Sequence, residues 1–115
     1  MSKTIPQRIK KSIEEFLLST TQLLGDRAKK IILYGSYARG DYHNSSDIDF
    51  MILTDLTDVE INEYEQKIWY FSFDIELEND VILSPMIRNI ETYNIRTTYN
   101  PFYKNVQKEG VVLVG

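Results

Sequence analysis

The chain has 115 residues, 43% apolar and 26% charged, a balance that excludes a disordered segment and fits one globular domain over residues 1–115. A net charge of −4 offers no basic footprint, so direct nucleic-acid binding is not expected, and the lack of cysteine excludes disulfides and thiolate metal sites. No apolar run approaches the ~20 residues of a membrane span. Charges throughout residues 1–25 leave no signal-peptide core, so a reducing, cytoplasmic location is expected.

From Pro6 to Leu24, Ile9, Ile13, Phe16, Leu17, Thr20 and Leu24 recur at three- and four-residue steps, predicting an amphipathic helix that Gly25 stops. Lys30 to Tyr34 reads as a short buried strand. Gly35-Ser36 breaks it, Tyr37-Ala38-Arg39 forms one helical turn, and residues 40–46 are turn chemistry. Ile48 to Leu53 carries apolar residues on both alternating faces, as in a central strand covered on both sides. Thr57 and Glu60 predict a capping box opening a helix to about Leu77, with Trp69 and Phe73 widening its packed stripe. Val81-Ile82-Leu83 reads as a third strand ended by Ser84-Pro85. Residues 88–98 read as a loop holding a short helical turn. Asn100-Pro101 starts a helix that Gly110 closes, and Val111 to Val114 forms a last strand at a sheet edge.

The chemistry concentrates in Gly35-Ser36 and Asp47-Ile48-Asp49. Glycine lets backbone approach a bulky anion, and the serine with neighbouring N–H groups suits a triphosphate. Residues i and i+2 of a strand share a face, so Asp47 and Asp49 project together, and paired carboxylates suit Mg²⁺. Beside buried strands such a pair is costly unless a cation neutralises it. Arg39 is a candidate for a phosphate, with an ion pair to Asp41 or Asp47 as the alternative. His43 sits among turn formers and reads as a turn residue. Tyr37 and Tyr42 read as half-buried turn aromatics, with stacking on a base as the alternative.

Gly35-Ser36-Tyr37-Ala38-Arg39-Gly40 followed by Ser46-Asp47-Ile48-Asp49-Phe50-Met51-Ile52 resembles the DNA polymerase β-type nucleotidyltransferase superfamily. Within it, the chain is most similar to minimal nucleotidyltransferases, the antitoxin partners of HEPN-domain ribonuclease toxins. The resemblance implies an α+β fold, a mixed sheet of about three to five strands with helices packed on one face. It also implies transfer of a nucleoside monophosphate from ATP or another NTP to an acceptor hydroxyl. Gly35 and Ser36 would then hold the nucleotide's β- and γ-phosphates, with Arg39 remaining the further candidate read from its position, and Asp47 and Asp49 would hold two Mg²⁺ ions ~3.5–4 Å apart. In antitoxins of this kind the acceptor is a tyrosine of the helical toxin, with which a hetero-oligomer forms. The family's third carboxylate precedes the Ser-Pro step. Ile82 occupies that position here, and Asp80, two residues earlier, is the substitute candidate for catalysis. The alternatives are a module that silences its toxin by docking alone, and a small-molecule nucleotidyltransferase.

Overall fold

The computed structural model describes residues 5–115, so the first four residues of the segment read for a leader lie outside it. In chain order it contains α1 (Gln7–Leu24), a 3₁₀ turn at Gly25–Arg27, β1 (Ala28–Tyr34), α2 (Ser36–Arg39) and β2 (Ile48–Thr54). There follow α3 (Asp58–Asn79), β3 (Leu83–Asn89), α4 (Ile90–Arg96), α5 (Pro101–Glu109) and β4 (Val111–Val114). The strands form one mixed sheet in the order β3-β2-β1-β4. β1 is antiparallel to both β2 and β4, while β2 and β3 are parallel, with α3 as the crossover a parallel pair requires. The fold is α+β.

The two-sided apolar alternation of β2 is satisfied by helices on both faces. Ile48, Phe50 and Ile52 pack with Ile9 and Phe16 of α1 and with Ile61, Ile68 and Ile75 of α3. Phe16 lies flat on Phe50, with ring centroids 4.1 Å apart. Truncating so well packed an aromatic commonly costs ~3–5 kcal/mol. On the other face, Met51 and Leu53 meet Ile32, Tyr93 of α4, and Tyr103 and Val106 of α5. One-sided helix packing therefore holds only for the two long helices. The short α4 and α5 cover the opposite face because β2 has apolar side chains to bury there.

Several boundaries differ from the sequence reading. The capping box is present: the Glu60 N–H donates to Thr57 Oγ1 at 3.3 Å, and the Thr57 N–H to Glu60 Oε1 at 3.1 Å. The helix it opens runs past Leu77 to Asn79 and ends on Asp80 in the left-handed region, φ 53°. Trp69 and Phe73 do not widen the packed stripe but project outward, 65% and 58% exposed. Ser84-Pro85 does not end β3, which starts at Leu83 and runs through both. The Ile82 C=O accepts from the Ile48 N–H of β2, and alternate residues point oppositely. Pro85 therefore turns its nitrogen to the open sheet edge, where a missing N–H breaks no ladder bond. Residues 90–96 form a helix because Asn89 caps it, its side chain accepting from the Thr92 N–H at 3.1 Å. Among the described residues, no helix is long and apolar enough to cross a membrane.

Candidate active site

β1 delivers the chain to Gly35, whose φ of 79° and ψ of −156° lie in a region essentially restricted to glycine. The reason for glycine is also steric. A Cβ built on Gly35 would overlap Asp49 Oδ2 and come within 3.1 Å of its Cγ. The glycine bend and the second aspartate are thus in direct contact across β1 and β2. Asp49 sits opposite Tyr34 in the antiparallel pair and opposite Ser84 in the parallel pair. Asp47 lies one residue before β2 and is exposed, yet it lines the same cleft as Asp49. The pair converges as the spacing predicts, with one member on the loop rather than on the strand.

That cleft has a volume of about 680 Å³. Gly35, Ser36 and Arg39 border it beside the two aspartates, and Phe102, Asn105 and Glu109 of α5 form the facing wall. The α5 wall is absent from the sequence reading. Its signal was the Asn100-Pro101 helix start: Asn100 Oδ1 accepts from the N–H groups of Phe102 and Tyr103 and aims the helix across the sheet. Phe102 then meets Tyr34 edge-on, with centroids 5.7 Å apart.

Electrostatics at the cleft single out Asp49. Burial, then repulsion from Asp47, pushes its carboxyl up to about 6; Arg39 and a hydrogen bond with Ser84 oppose this less strongly. Tyr34 is pushed up to about 12, first by burial and then by the Asp49 charge. Repulsion from the exposed Asp47 thus adds to the cost of burying the Asp49 carboxylate, and a divalent cation beside both removes it. Among the described residues, no group of three or more His, Cys, Asp or Glu side chains forms a metal cage. Two carboxylates with room beside them are the donor set of a Mg²⁺ that takes its other ligands from substrate phosphates and water. The residues fit the ion.

The other residues singled out fall as follows. Arg39 pairs with Asp41 at 3.2 Å and with Glu109 of α5 at 3.2 Å rather than with Asp47, while still bordering the cleft. His43 is part of a turn, its N–H donating to Ser46 Oγ at 2.9 Å and its Nδ1 3.2 Å from Ser45 Oγ. Tyr37 and Tyr42 are buried rather than half-buried, and they stack on each other at 4.6 Å. Asp80 is not brought to the aspartate pair. It terminates α3 and lines a second cavity of about 500 Å³, together with Arg8, Tyr37 and Ile82. The two cavities share Ser45 and Ser46. In the β2–β3 register, Ser84 stands level with Asp49, and Ile82 lies before β3 begins, half exposed.

A glycine bend pressed against one of two convergent carboxylates, in an open cleft on a mixed sheet, is an arrangement for handling nucleotide phosphates. Comparison with known proteins gives the family: residues 10–113 match the nucleotidyltransferase domain model, and the chain belongs to that family of enzymes. Two proteins of Methanocaldococcus jannaschii are similar over nearly their whole length. One, named "Putative protein adenylyltransferase MJ0604", is 35% identical over 103 residues, 90% of this chain and 95% of its own. The other, "Putative protein adenylyltransferase MJ0141", is 33% identical over 99 residues, 86% of this chain and 92% of its own. Among solved structures, a mutant of the toxin-antitoxin MntA-HpeT matches with a TM-score of 0.53 at 22% identity, covering 89% of this chain and 72% of that one. A toxin-antitoxin with AMP-PNP matches with a TM-score of 0.55 at 22% identity, covering 89% and 73%. These two likenesses are of fold.

Proposed function

We propose that this chain transfers AMP from ATP to a tyrosine hydroxyl of a helical, HEPN-type toxin and thereby acts as its antitoxin. The observation that carries the reading is the contact of Gly35 with Asp49, which joins a phosphate-approaching bend to a carboxylate pair in one cleft. The relatives' protein-adenylyltransferase names and the toxin-antitoxin fold neighbours support the acceptor class.

In this reading Gly35 admits the β- and γ-phosphates against the backbone, and Ser36 donates its hydroxyl to them. Asp47 and Asp49 would hold Mg²⁺, which would supply positive charge to stabilise the transferring phosphoryl group. The acceptor oxygen attacks the α-phosphorus, the bond to the bridging oxygen breaks, and pyrophosphate leaves with that electron pair. The acceptor enters from the Ser45–Ser46 rim, where the second cavity adjoins the cleft, and its proton passes to water, because Asp80 lines the other cavity. Phe102 and Tyr34 form the apolar part of the opposite wall.

A second reading is docking without transfer. One observation favours it: among the described residues no third carboxylate joins Asp47 and Asp49. Incubation with Mg²⁺, ATP labelled on its α-phosphate and a HEPN toxin separates the two. Enzyme activity labels the toxin, and Asp47→Ala removes the label. An unlabelled yet silenced toxin refutes transfer and leaves docking.

A further inference from the structure

We infer that the outer face of α3 is a docking surface for an amphipathic helix of a partner protein whose apolar stripe is bordered by lysine and arginine. The proposal deepens the partner-protein reading above and rests on it.

Helix α3 has two apolar faces. Ile61, Ile68 and Ile75 point into the core. On the opposite side Val59, Trp69, Tyr70, Phe73 and Leu77 are all exposed, Leu77 by 68%. At about 100° per residue these five fall within one stripe along the helix. Leaving Trp, Tyr and Phe together in water is costly, and aromatics of this kind are the usual anchors of interfaces. Between the stripe and β3 lies a groove of about 560 Å³, lined by Trp69, Phe73, Leu83 and Pro85.

Charge decides the occupant. The helix carries seven carboxylates against the single Lys67. Asp58 and Glu65 border the stripe on one side, and Glu63 and Asp74 on the other. A second copy of this chain would bring acid against acid, so self-pairing is opposed. Addition of a strand to β3 is opposed as well. The outward N–H of Leu83 already donates to Glu76 Oε2 at 2.9 Å, and Pro85 has none to offer. A helix laying apolar residues on the stripe and bases on its borders satisfies both constraints. The stripe ends at Leu77, six residues before Leu83 begins β3, at the end of the sheet where Asp47 enters β2.

Trp69 is the only tryptophan of the chain, so its emission reads the surface directly. The probes are two synthetic helical peptides with one leucine stripe, bordered by lysine in one and by glutamate in the other. The lysine peptide is expected to shift Trp69 emission to the blue and to bind at least tenfold more tightly than the glutamate peptide. Phe73→Asp and, separately, Leu77→Glu are expected to weaken it at least tenfold, with circular dichroism unchanged because both side chains are exposed. Equal binding of the two peptides overturns the proposal, as does unchanged affinity in both variants. A blue shift that follows protein concentration without peptide also overturns it, in favour of a second copy. These readings use no nucleotide, so their failure is distinct from a failure of AMP transfer.

Discussion

Replacing Gly35 with alanine imposes two separate penalties. The first is conformational: at φ 79° and ψ −156° a residue with a Cβ is strained by ~1–3 kcal/mol. The second is local: the new methyl overlaps Asp49 Oδ2, so the carboxylate swings away or the bend opens. Gly25→Ala is the matched control. Its φ is also positive, 54°, but nothing lies within 4 Å of the added Cβ. Urea denaturation is expected to register destabilisation in both variants, of order 1–3 kcal/mol. Calorimetric titration with Mg²⁺ and a non-hydrolysable ATP analogue then separates them. Gly25→Ala binds as the parent does, whereas Gly35→Ala loses at least about tenfold in affinity, or ~1.4 kcal/mol. If Gly35→Ala binds the magnesium-nucleotide as tightly as the parent, the link between bend and carboxylate is refuted.

Asp49→Asn tests the electrostatics. The folded carboxyl, at about 6, lies above its unfolded value of ~3.9, so the folded state holds more protons between those values. This group's stabilisation is therefore full below about pH 4 and lost as pH rises through about 6. In metal-free buffer the asparagine variant should gain in urea midpoint over the parent at pH 8 and gain little at pH 4; a gain equal at both values contradicts the assignment. Asp80→Gly tests whether Asp80 takes part in transfer. Glycine suits the left-handed φ of 53°, so the fold is kept and thermal stability holds or rises. Because Asp80 lies outside the cleft, transfer and nucleotide affinity are expected to match the parent; a ~10²–10⁴-fold fall in turnover would make it the proton acceptor and contradict that placement. Thr57→Ala breaks the capping box and should cost ~1 kcal/mol in urea denaturation, with Mg²⁺-nucleotide binding unaffected.

The elements legible in the sequence are those where local chemistry and burial agree. The α1 stripe, the Thr57–Glu60 box and the Asn100-Pro101 start each combine a cap or stop with helical spacing, and all three helices are present. β2 declared its central position through apolar residues on both faces. The misread segments are those where tertiary context overrides a local signal. Pro85 reads as a strand end, but its nitrogen faces an open edge and the strand continues. Residues 90–96 lack a clear period because α4 buries little besides Tyr93, and the Asn89 cap was the overlooked cue. Trp69 and Phe73 are four apart from each other but not at three- or four-residue steps from Ile61, Ile68 or Ile75, so they belong to a second stripe on the opposite side of α3. At the site, the bend and the acids were readable because their residue types are chemically specific. The α5 wall and the separation of Asp80 depend on how the chain returns across the sheet, which no short motif encodes.

In the proposed function the Gly35-Ser36 bend and the Asp47–Asp49 pair grip one magnesium-bound triphosphate. A crystal structure with Mg²⁺ and a non-hydrolysable ATP analogue tests it most directly. Phosphate density is expected against the Gly35 backbone and metal density bonded to both aspartates, within the cleft faced by Phe102 and Asn105. Nucleotide bound elsewhere, or a metal that leaves either aspartate uncoordinated, would contradict it.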